Sequence, residues 1–450
     1  MDNIKNVIGS LLTGPATPDS EYVIPGRTYG EVYETAAGIL DACGSAGMSP
    51  GEPVCLCTED KVLVAAAVLA SLAGGPLLVI PYALSERGVR ETAEAMGVRA
   101  GLADREIPLP AGMRCITPAR GRWRKAEQPR GMDDPCLQLF TGGSTGKPKV
   151  WTKTPVNVVS EAAFQAEKHG ITQEDYFIAT VPPYHIYGFL FSVMIPFVAG
   201  ARVMERVVVF PREIVDALEK NPVTVLASVP VHYRVLNGEK IHAPALRRAF
   251  SSAGPLDRND ALWFYRETGV GVEEIFGSTE TGGIACRCPA VGREILEPFS
   301  CVTWKIEDER LCVKSPFLSP DLPFDSTGFY TTGDRVEAAG SGFSLLGRSD
   351  GIVKVGGKRV DLNSVRDIIK RIPGVRDAHV FSLPGRKARD TDVAAVVEAD
   401  TTEEELKQVL SGAMESYAMP RRLRVVAKLP STSTGKIDRE ALLKLFAPGR

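Results

Sequence analysis

The stretch Phe140-Thr-Gly-Gly-Ser-Thr-Gly-Lys-Pro-Lys149, FTGGSTGKPK, is built to hold phosphate, and which phosphate chemistry it serves decides the fold. Its glycines and hydroxyls free backbone N–H groups to point at an anion, and the lysines near its end bring mobile positive charge. The usual nucleotide loop requires a Gly, four residues, then Gly-Lys and a hydroxyl that reaches Mg²⁺. Here Thr141 stands where the first Gly belongs and Pro148 where the hydroxyl belongs. The match fails at both ends, which excludes a P-loop ATPase. Taken alone, the stretch also reads as a flexible surface loop, so its meaning depends on its company.

A chain of 450 residues exceeds one typical core and should split into two or more globular units. Apolar residues make up 44% and charged residues 24%, which suits a soluble enzyme. With 53 basic against 55 acidic residues there is no charge excess to advertise a nucleic-acid or anionic-membrane surface, so small partners are expected. The cysteines include no Cys-x-x-Cys, and the pairs Cys55/Cys57 and Cys286/Cys288 lack histidines at ligand spacing. Reduced thiols in a cytoplasmic protein are the expectation. The opening MDNIKNVIGS has neither the basic lead nor the apolar run of a signal peptide. Val62 to Leu84 is uncharged, but Gly74-Gly75-Pro76 cuts it, so it reads as a buried Ala-rich helix followed by the strand PLLVIP rather than a membrane span. Phe177 to Ala201 is interrupted in the same way by Pro182-Pro183 and Gly188.

Up to about residue 340, helical periodicities such as PREIVDALEKN alternate with short β-branched runs such as VTVLASVP. That alternation predicts an α/β architecture: a large N-terminal domain of mainly parallel sheets flanked by helices, with a further β subdomain. A second texture begins near Gly347. GIVKVGGKRVDLNSVRDIIKRIPGV reads as a β-hairpin, a helix from about Leu362 and a turn at Pro373-Gly374, and strand and helix patterns follow to the end. The prediction is a small mobile α+β domain over 349–450, joined to a core over 1–348 at Arg348-Ser349-Asp350.

Three more stretches keep the loop company. In Phe276-Gly-Ser-Thr-Glu-Thr281 the ring can stack on a base, Thr279 can donate to a phosphate oxygen and Glu280 can hold Mg²⁺; standing alone, the same Thr-Glu pair reads as a helix N-terminal cap. In Tyr330-Thr-Thr-Gly-Asp334 the carboxylate is a natural acceptor for ribose hydroxyls, with Arg348 nearby in sequence; alone, it is a common turn. Near the C-terminus, Pro430-Ser-Thr-Ser-Thr-Gly-Lys436 presents either a solvated lysine or one delivered by a mobile domain.

In this order and spacing the stretches resemble the adenylate-forming superfamily of acyl- and aryl-CoA synthetases, peptide-synthetase adenylation domains and beetle luciferase, from about residue 20 to 445. The resemblance implies that Thr141, Gly142, Gly143, Ser144, Thr145, Gly146 and Lys149 wrap the ATP phosphates. It implies that Phe276, Gly277, Thr279 and Glu280 stack adenine and position the α-phosphate and Mg²⁺, while Ala253, Gly254 and Pro255 line the other adenine face. Asp334 then matches the ribose carboxylate, Arg348 its partner, Lys436 the lysine that bridges carboxylate and α-phosphate, and Asp350 the hinge. Lys358 and Arg359 would come round to the acceptor's phosphates when the small domain turns. PPYHIYGFLFSVMIPFVAGA matches a wall of the acyl pocket, with His185 at its mouth and Tyr184, Tyr187 and Gly188 along it. No acid lies between Val181 and Gly200 to hold an α-ammonium group, so the resemblance points to an unaminated acid, aryl or medium-chain.

The implied activity is ATP-dependent activation of a carboxylic acid to acyl-AMP, then thioester formation with CoA. Two alternatives stand beside it: transfer to the phosphopantetheine arm of an acyl carrier protein, and a non-catalytic nucleotide-binding scaffold. Some positions depart from the family pattern. Val150 follows the loop's last lysine where Gly is common, Gly142 replaces a common Ser, Thr331 replaces a basic residue, and Asp308 stands where Gly usually precedes Glu309. Only about 140 residues precede the loop, so a shortened first subdomain is expected.

Overall fold

The computed structural model describes residues 2–103, 107, 109–141, 149–355, 358–384, 391–414, 416, 418–432 and 437–446. The chain divides into two compact units, one of Met1–Thr303 with Lys314–Gly328, the other of Trp304–Val313 with Phe329–Arg450. The strands Tyr330–Ala339 and Gly342–Arg348 pair with each other antiparallel and fall in the second unit.

The first unit holds two sheets. One is six-stranded, in the order Arg114–Ile116, Ala100–Ala103, Pro53–Cys57, Leu77–Ile80, Leu137–Thr141 and Lys149–Lys153. All of its pairings are parallel except the last, which is antiparallel. In the other sheet Val272–Ser278, Arg248–Ser251, Val225–Ser228, Tyr176–Ala179, Arg202–Met204 and Glu21–Ile24 follow one another in parallel. Gly282–Cys288 and Arg293–Pro298 continue it antiparallel from Val272–Ser278. This is the α/β layering that the alternating texture predicts.

Local sequence explains the elements. Val225–Ser228 is buried along its whole length. The helix Pro211–Lys220 starts on a proline, which suits the first helical position, and buries Ile214, Val215, Ala217 and Leu218 on one face. Those side chains meet Ile178, Leu226, Tyr233 and Phe264 in one core. Each fully buried aliphatic side chain contributes roughly 1.5–3 kcal/mol. The Ala-rich run forms the helix Lys61–Leu72, capped by the Asp60 carboxylate and buried almost all round, and the strand Leu77–Ile80 follows. Among the described residues no helix is long and apolar enough to cross a membrane.

The second unit begins with strands that neighbour one another in the sheet, Thr303–Glu307, Arg310–Lys314, Tyr330–Ala339 and Gly342–Arg348. Asp308 and Glu309 turn the first hairpin with φ of 49° and 60°. Asp308, at the position where the family commonly has Gly, adopts the left-handed conformation that glycine would favour and that a short polar side chain tolerates. The hairpin Ile352–Val355 with Lys358–Asp361 follows, and Asp361 then caps the helix Leu362–Lys370. Val375–Pro384, Thr391–Ala399 and Arg422–Val426 form a three-stranded sheet whose Val393, Ala395 and Val397 pack with Val365 and Ile369 of that helix and Leu406 and Leu410 of the helix Glu403–Ala413.

Candidate active site

The carboxyl ends of the parallel strands in the larger sheet of the first unit are where an open α/β sheet forms its ligand crevice. Ser251 and Ser278 end two neighbouring strands there, and the segments singled out in the sequence continue directly from them.

The two ends of the stretch FTGGSTGKPK are an antiparallel pair. Thr141 pairs with Lys149, and the Thr141 hydroxyl donates to the Lys149 carbonyl at 3.4 Å. Lys149 is exposed. Gly142, Gly143, Ser144, Thr145 and Gly146 lie outside the described residues.

Thr279 and Glu280 sit at the tip of a β-hairpin between Val272–Ser278 and Gly282–Cys288, not at a helix N-terminus. The turn is closed from within: the Ser278 N–H donates to the Thr281 hydroxyl at 3.0 Å and the Thr281 N–H to the Ser278 hydroxyl at 3.2 Å. Gly277 is required because a Cβ there would lie 2.2 Å from the Gly282 carbonyl oxygen. The ladder slips by a bulge between Phe276 and Gly277, leaving Phe276 half-buried and Thr279 and Glu280 partly open to solvent.

Beneath the tip lie residues that the sequence reading did not select. Lys153, only 2% exposed, ends the strand Lys149–Lys153, and its Nζ donates to the Phe317 carbonyl at 2.9 Å and to the Glu280 carbonyl at 3.4 Å. Burial pulls its pKa down to about 8, against the attraction of Glu161, Glu280 and Asp321. Glu161, 4% exposed, accepts the Gly283 N–H at 2.7 Å; burial raises its pKa, opposed by Lys153 and by that hydrogen bond. The Ser319 N–H donates to the Glu280 carbonyl at 2.8 Å, and the Ser319 hydroxyl to the Thr152 carbonyl at 2.7 Å. A sequence signal for Glu161 existed. It falls with Val158, Val159, Ala162, Gln165, Ala166 and His169 on the buried stripe of the helix Pro155–His169, where an unpaired acid does not belong.

Ser252-Ala-Gly-Pro255 forms an exposed turn beside this hairpin. The Ser252 hydroxyl donates to the Ile275 carbonyl at 2.9 Å, and the Leu256 N–H donates to the Glu274 carboxylate at 3.3 Å. Ala253 takes φ +71°, a conformation that costs a non-glycine residue and that clusters at ligand sites.

Tyr184 and His185 are half-buried neighbours with ring centroids 4.6 Å apart, and His185 precedes the short helix Ile186–Phe189. Gly188 lets that helix approach Pro182: a Cβ would stand 2.0 Å from the Pro182 carbonyl oxygen. Tyr187 is buried with its ring 4.9 Å from Phe191, and burial raises its phenol pKa far above the ordinary value. A π-helical turn, Leu190–Met194, follows, an irregularity frequent at functional sites.

In the second unit Asp334 and Arg348 are register partners, with Nη1 of Arg348 3.4 Å from Oδ1 of Asp334. A Cβ on Gly333 would meet the Arg348 guanidinium at 2.7 Å, so Gly333 makes room for it. Lys436 lies outside the described residues, as do the side chains of Asp350, Lys358 and Arg359.

Glu280 offers one partly open carboxylate and follows Thr279 at the tip, and no cluster of three or more His, Cys, Asp or Glu suited to a metal occurs among the described residues. That donor set fits Mg²⁺, which binds through one or two carboxylates and completes its shell with substrate phosphates and water.

The model of the AMP-binding enzyme family matches residues 15–317, and that of the AMP-binding enzyme C-terminal domain matches residues 365–436. The chain is 26% identical over 325 residues to a 2-succinylbenzoate–CoA ligase of Listeria monocytogenes serotype 4b (strain F2365), covering 68% of each protein. It is 26% identical over 348 residues to the medium-chain fatty-acid–CoA ligase of Escherichia coli K12, covering 69% of this chain and 61% of that one. Its fold is similar to that of o-succinylbenzoate CoA synthetase from Bacillus subtilis in complex with its acyl-adenylate intermediate, with a TM-score of 0.80, 20% identity, and 99% and 98% of the two chains covered.

Proposed function

This chain belongs to the AMP-binding enzyme family, and from that membership we propose that it is an AMP-forming acid–thiol ligase that joins an aryl or medium-chain carboxylic acid to CoA. The observation that carries the reading is the convergence of three distant stretches in the first unit. The strand leaving the phosphate loop, the Ser252–Pro255 turn and the Thr279–Glu280 tip are tied by Lys153 to Glu280 and by Ser252 to Ile275.

In this reading the substrate carboxylate, ionised at neutral pH, needs no general base. One of its oxygens attacks the α-phosphorus of ATP and the β,γ-phosphates depart as pyrophosphate. The CoA thiol, losing its proton, then attacks the acyl carbon and AMP leaves. Charge grows on the departing and equatorial phosphate oxygens, where Lys436, Thr279, Lys149 and the backbone of residues 141–146 are assigned to stabilise it. Mg²⁺, held at Glu280, supplies further positive charge to the phosphates when bound. Phe276 and the Ala253-Gly254-Pro255 turn hold adenine, and Asp334 with Arg348 holds ribose. His185, Tyr184, Tyr187 and Gly188 shape the acyl side. A core over 1–348 and a small domain over 349–450 hinge at Asp350, bringing Lys358 and Arg359 to CoA for the second step. A cytoplasmic setting, where ATP and CoA are plentiful, belongs to the same reading.

The test is pyrophosphate release with ATP and Mg²⁺ over a panel of aryl and medium-chain acids, wild type beside Lys436→Ala. The expected result is release with one acid class and its loss by about two orders of magnitude or more in the variant. Release that the variant retains would refute the lysine's role, and no release with any acid would refute the reaction. Replacing CoA by pantetheine, which lacks the adenosine 3′-phosphate, separates a CoA acceptor from a carrier-protein arm.

A further inference from the structure

We propose that Lys153 is a positioning residue for adenylation: with Glu161 as its buried counter-charge, it sets the hairpin tip that carries Thr279 and Glu280 relative to the strand leaving the phosphate loop. The inference rests on the functional reading above and goes beyond it, because both side chains are buried and hold backbone groups of the tip.

Both flanks of the tip are fixed from below. On one side the Glu280 carbonyl receives the Ser319 N–H and Nζ of Lys153, at 2.8 and 3.4 Å. On the other, the Gly283 N–H is held by Glu161 at 2.7 Å. The second Glu161 oxygen lies directly under Gly282, where an added Cβ would come within 2.5 Å of it. Between these anchors the Ser278 and Thr281 hydroxyls close the turn on itself, so the tip moves as one piece or not at all.

The anchors reach back to the phosphate loop. Lys153 ends a strand that starts at Lys149, four residues along and just after the loop. The neighbouring Thr152 is gripped at both backbone polar atoms: its N–H donates to Asp321 at 2.7 Å and its carbonyl accepts from Ser319. Residues 317–321 thus bridge the strand and the tip, and Lys153 ties all three through two carbonyls, Phe317 and Glu280. A lysine this deeply buried is costly without such partners. Its position makes its loss a loss of registration between the group that grips the leaving phosphates and the group that holds the α-phosphate and Mg²⁺. Misplacement of about 1 Å at such a centre costs on the order of 100-fold in rate.

The experiment compares wild type, Lys153→Met and the double variant Lys153→Met/Glu161→Gln. It measures ATP–pyrophosphate exchange, Mg·ATP binding by titration calorimetry, and thermal unfolding. Removing the lysine alone strands Glu161 as a buried unpaired acid and should lower the unfolding temperature; neutralising both restores it. Turnover should not follow stability. Both variants are expected to lose about 30- to 100-fold in kcat with the acid KM within about threefold, and to bind Mg·ATP about tenfold more weakly. A double variant that regains wild-type stability together with exchange and Mg·ATP affinity within about threefold of wild type would overturn the proposal and leave Lys153 as packing. If wild type itself exchanges no pyrophosphate, the functional reading fails while the Mg·ATP arm still decides the lysine's role.

Discussion

Two lysines of the first unit are buried to the same depth, and they teach opposite lessons. Lys61 is 1% exposed and Lys153 2%; burial lowers their pKa values to about 7 and about 8, and each spends its ammonium on backbone carbonyls. Lys61 opens the helix Lys61–Leu72, the end where a positive charge opposes the helix dipole, and donates to the Met204 carbonyl among Asp60, Glu59 and Glu205. Lys153 holds the hairpin tip of the candidate site. By depth and titration the two are near twins. What distinguishes them is which backbone they hold, so a perturbed pKa points to function only when the anchored segment carries the chemistry.

The comparison breaks most severely at a glycine. Gly282 has φ +64°, and a Cβ there would stand 2.5 Å from the Glu161 carboxylate and 2.7 Å from Cβ of Phe317. Gly282→Ala should therefore push the tip off its Glu161 and Lys153 supports and lower adenylation by about 100-fold or more. Gly292, at φ +82° with nothing within 4 Å of its Cβ position, is the control. Gly292→Ala pays only the left-handed strain, about 1–2 kcal/mol, and should leave exchange unchanged. If both alanine variants retained full exchange, the tip would not need its supports and the contrast between the two lysines would collapse.

A smaller effect, on stability alone, separates Lys61. Its folded pKa lies below the unfolded value near 10.4, so between about pH 7 and pH 10 the unfolded chain binds more protons and stability rises with pH. The penalty is fully present below about pH 7. Going from pH 6.5 to 8.5, wild type should gain on the order of 2 kcal/mol that Lys61→Met does not, read as the difference between their urea midpoints. Pyrophosphate exchange by Lys61→Met should stay within about threefold of wild type, against the large loss expected at Lys153. Parallel pH profiles for the two proteins would mean that Lys61 finds water or a closer acid and is not a true twin.

How much of this was legible in the chain depends on the range of the interaction. The strand Val225–Ser228, the helix Pro211–Lys220 and the hairpin Ile352–Asp361 follow from a β-branched run, a leading proline with helical periodicity and a glycine pair, all local signals. Asp334 and Arg348 were picked as neighbours in sequence, and the strands Tyr330–Ala339 and Gly342–Arg348 place them opposite each other. The Thr279–Glu280 turn left two local readings open, and pairing with Gly282–Cys288 removes the helix-cap reading by closing a hairpin. The Glu161 to Gly283 contact spans 122 residues, and only an acid on an apolar stripe hinted at it. Left-handed Ala253 gave no local hint, since nothing about alanine announces that conformation.

The finest contrast concerns a single hydroxyl. Ser319 supports the same Glu280 carbonyl as Lys153, but through its backbone N–H, which no side-chain substitution removes. Its hydroxyl serves the Thr152 carbonyl instead, at 2.7 Å and fully buried. Ser319→Ala should thus keep the tip anchored and loosen only the strand behind it, leaving one buried carbonyl short of a donor at a cost of about 1–2 kcal/mol in stability. If registration between strand and tip is what Lys153 provides, this variant should lose exchange only about threefold, because Lys153 still spans the joint. It should become far more sensitive when combined with Lys153→Met than the product of the two single effects predicts, since both substitutions act on one connection. Simple multiplicativity would show that Ser319 and Lys153 act on separate parts of the site, and the bridge through residues 317–321 would then carry no coupling.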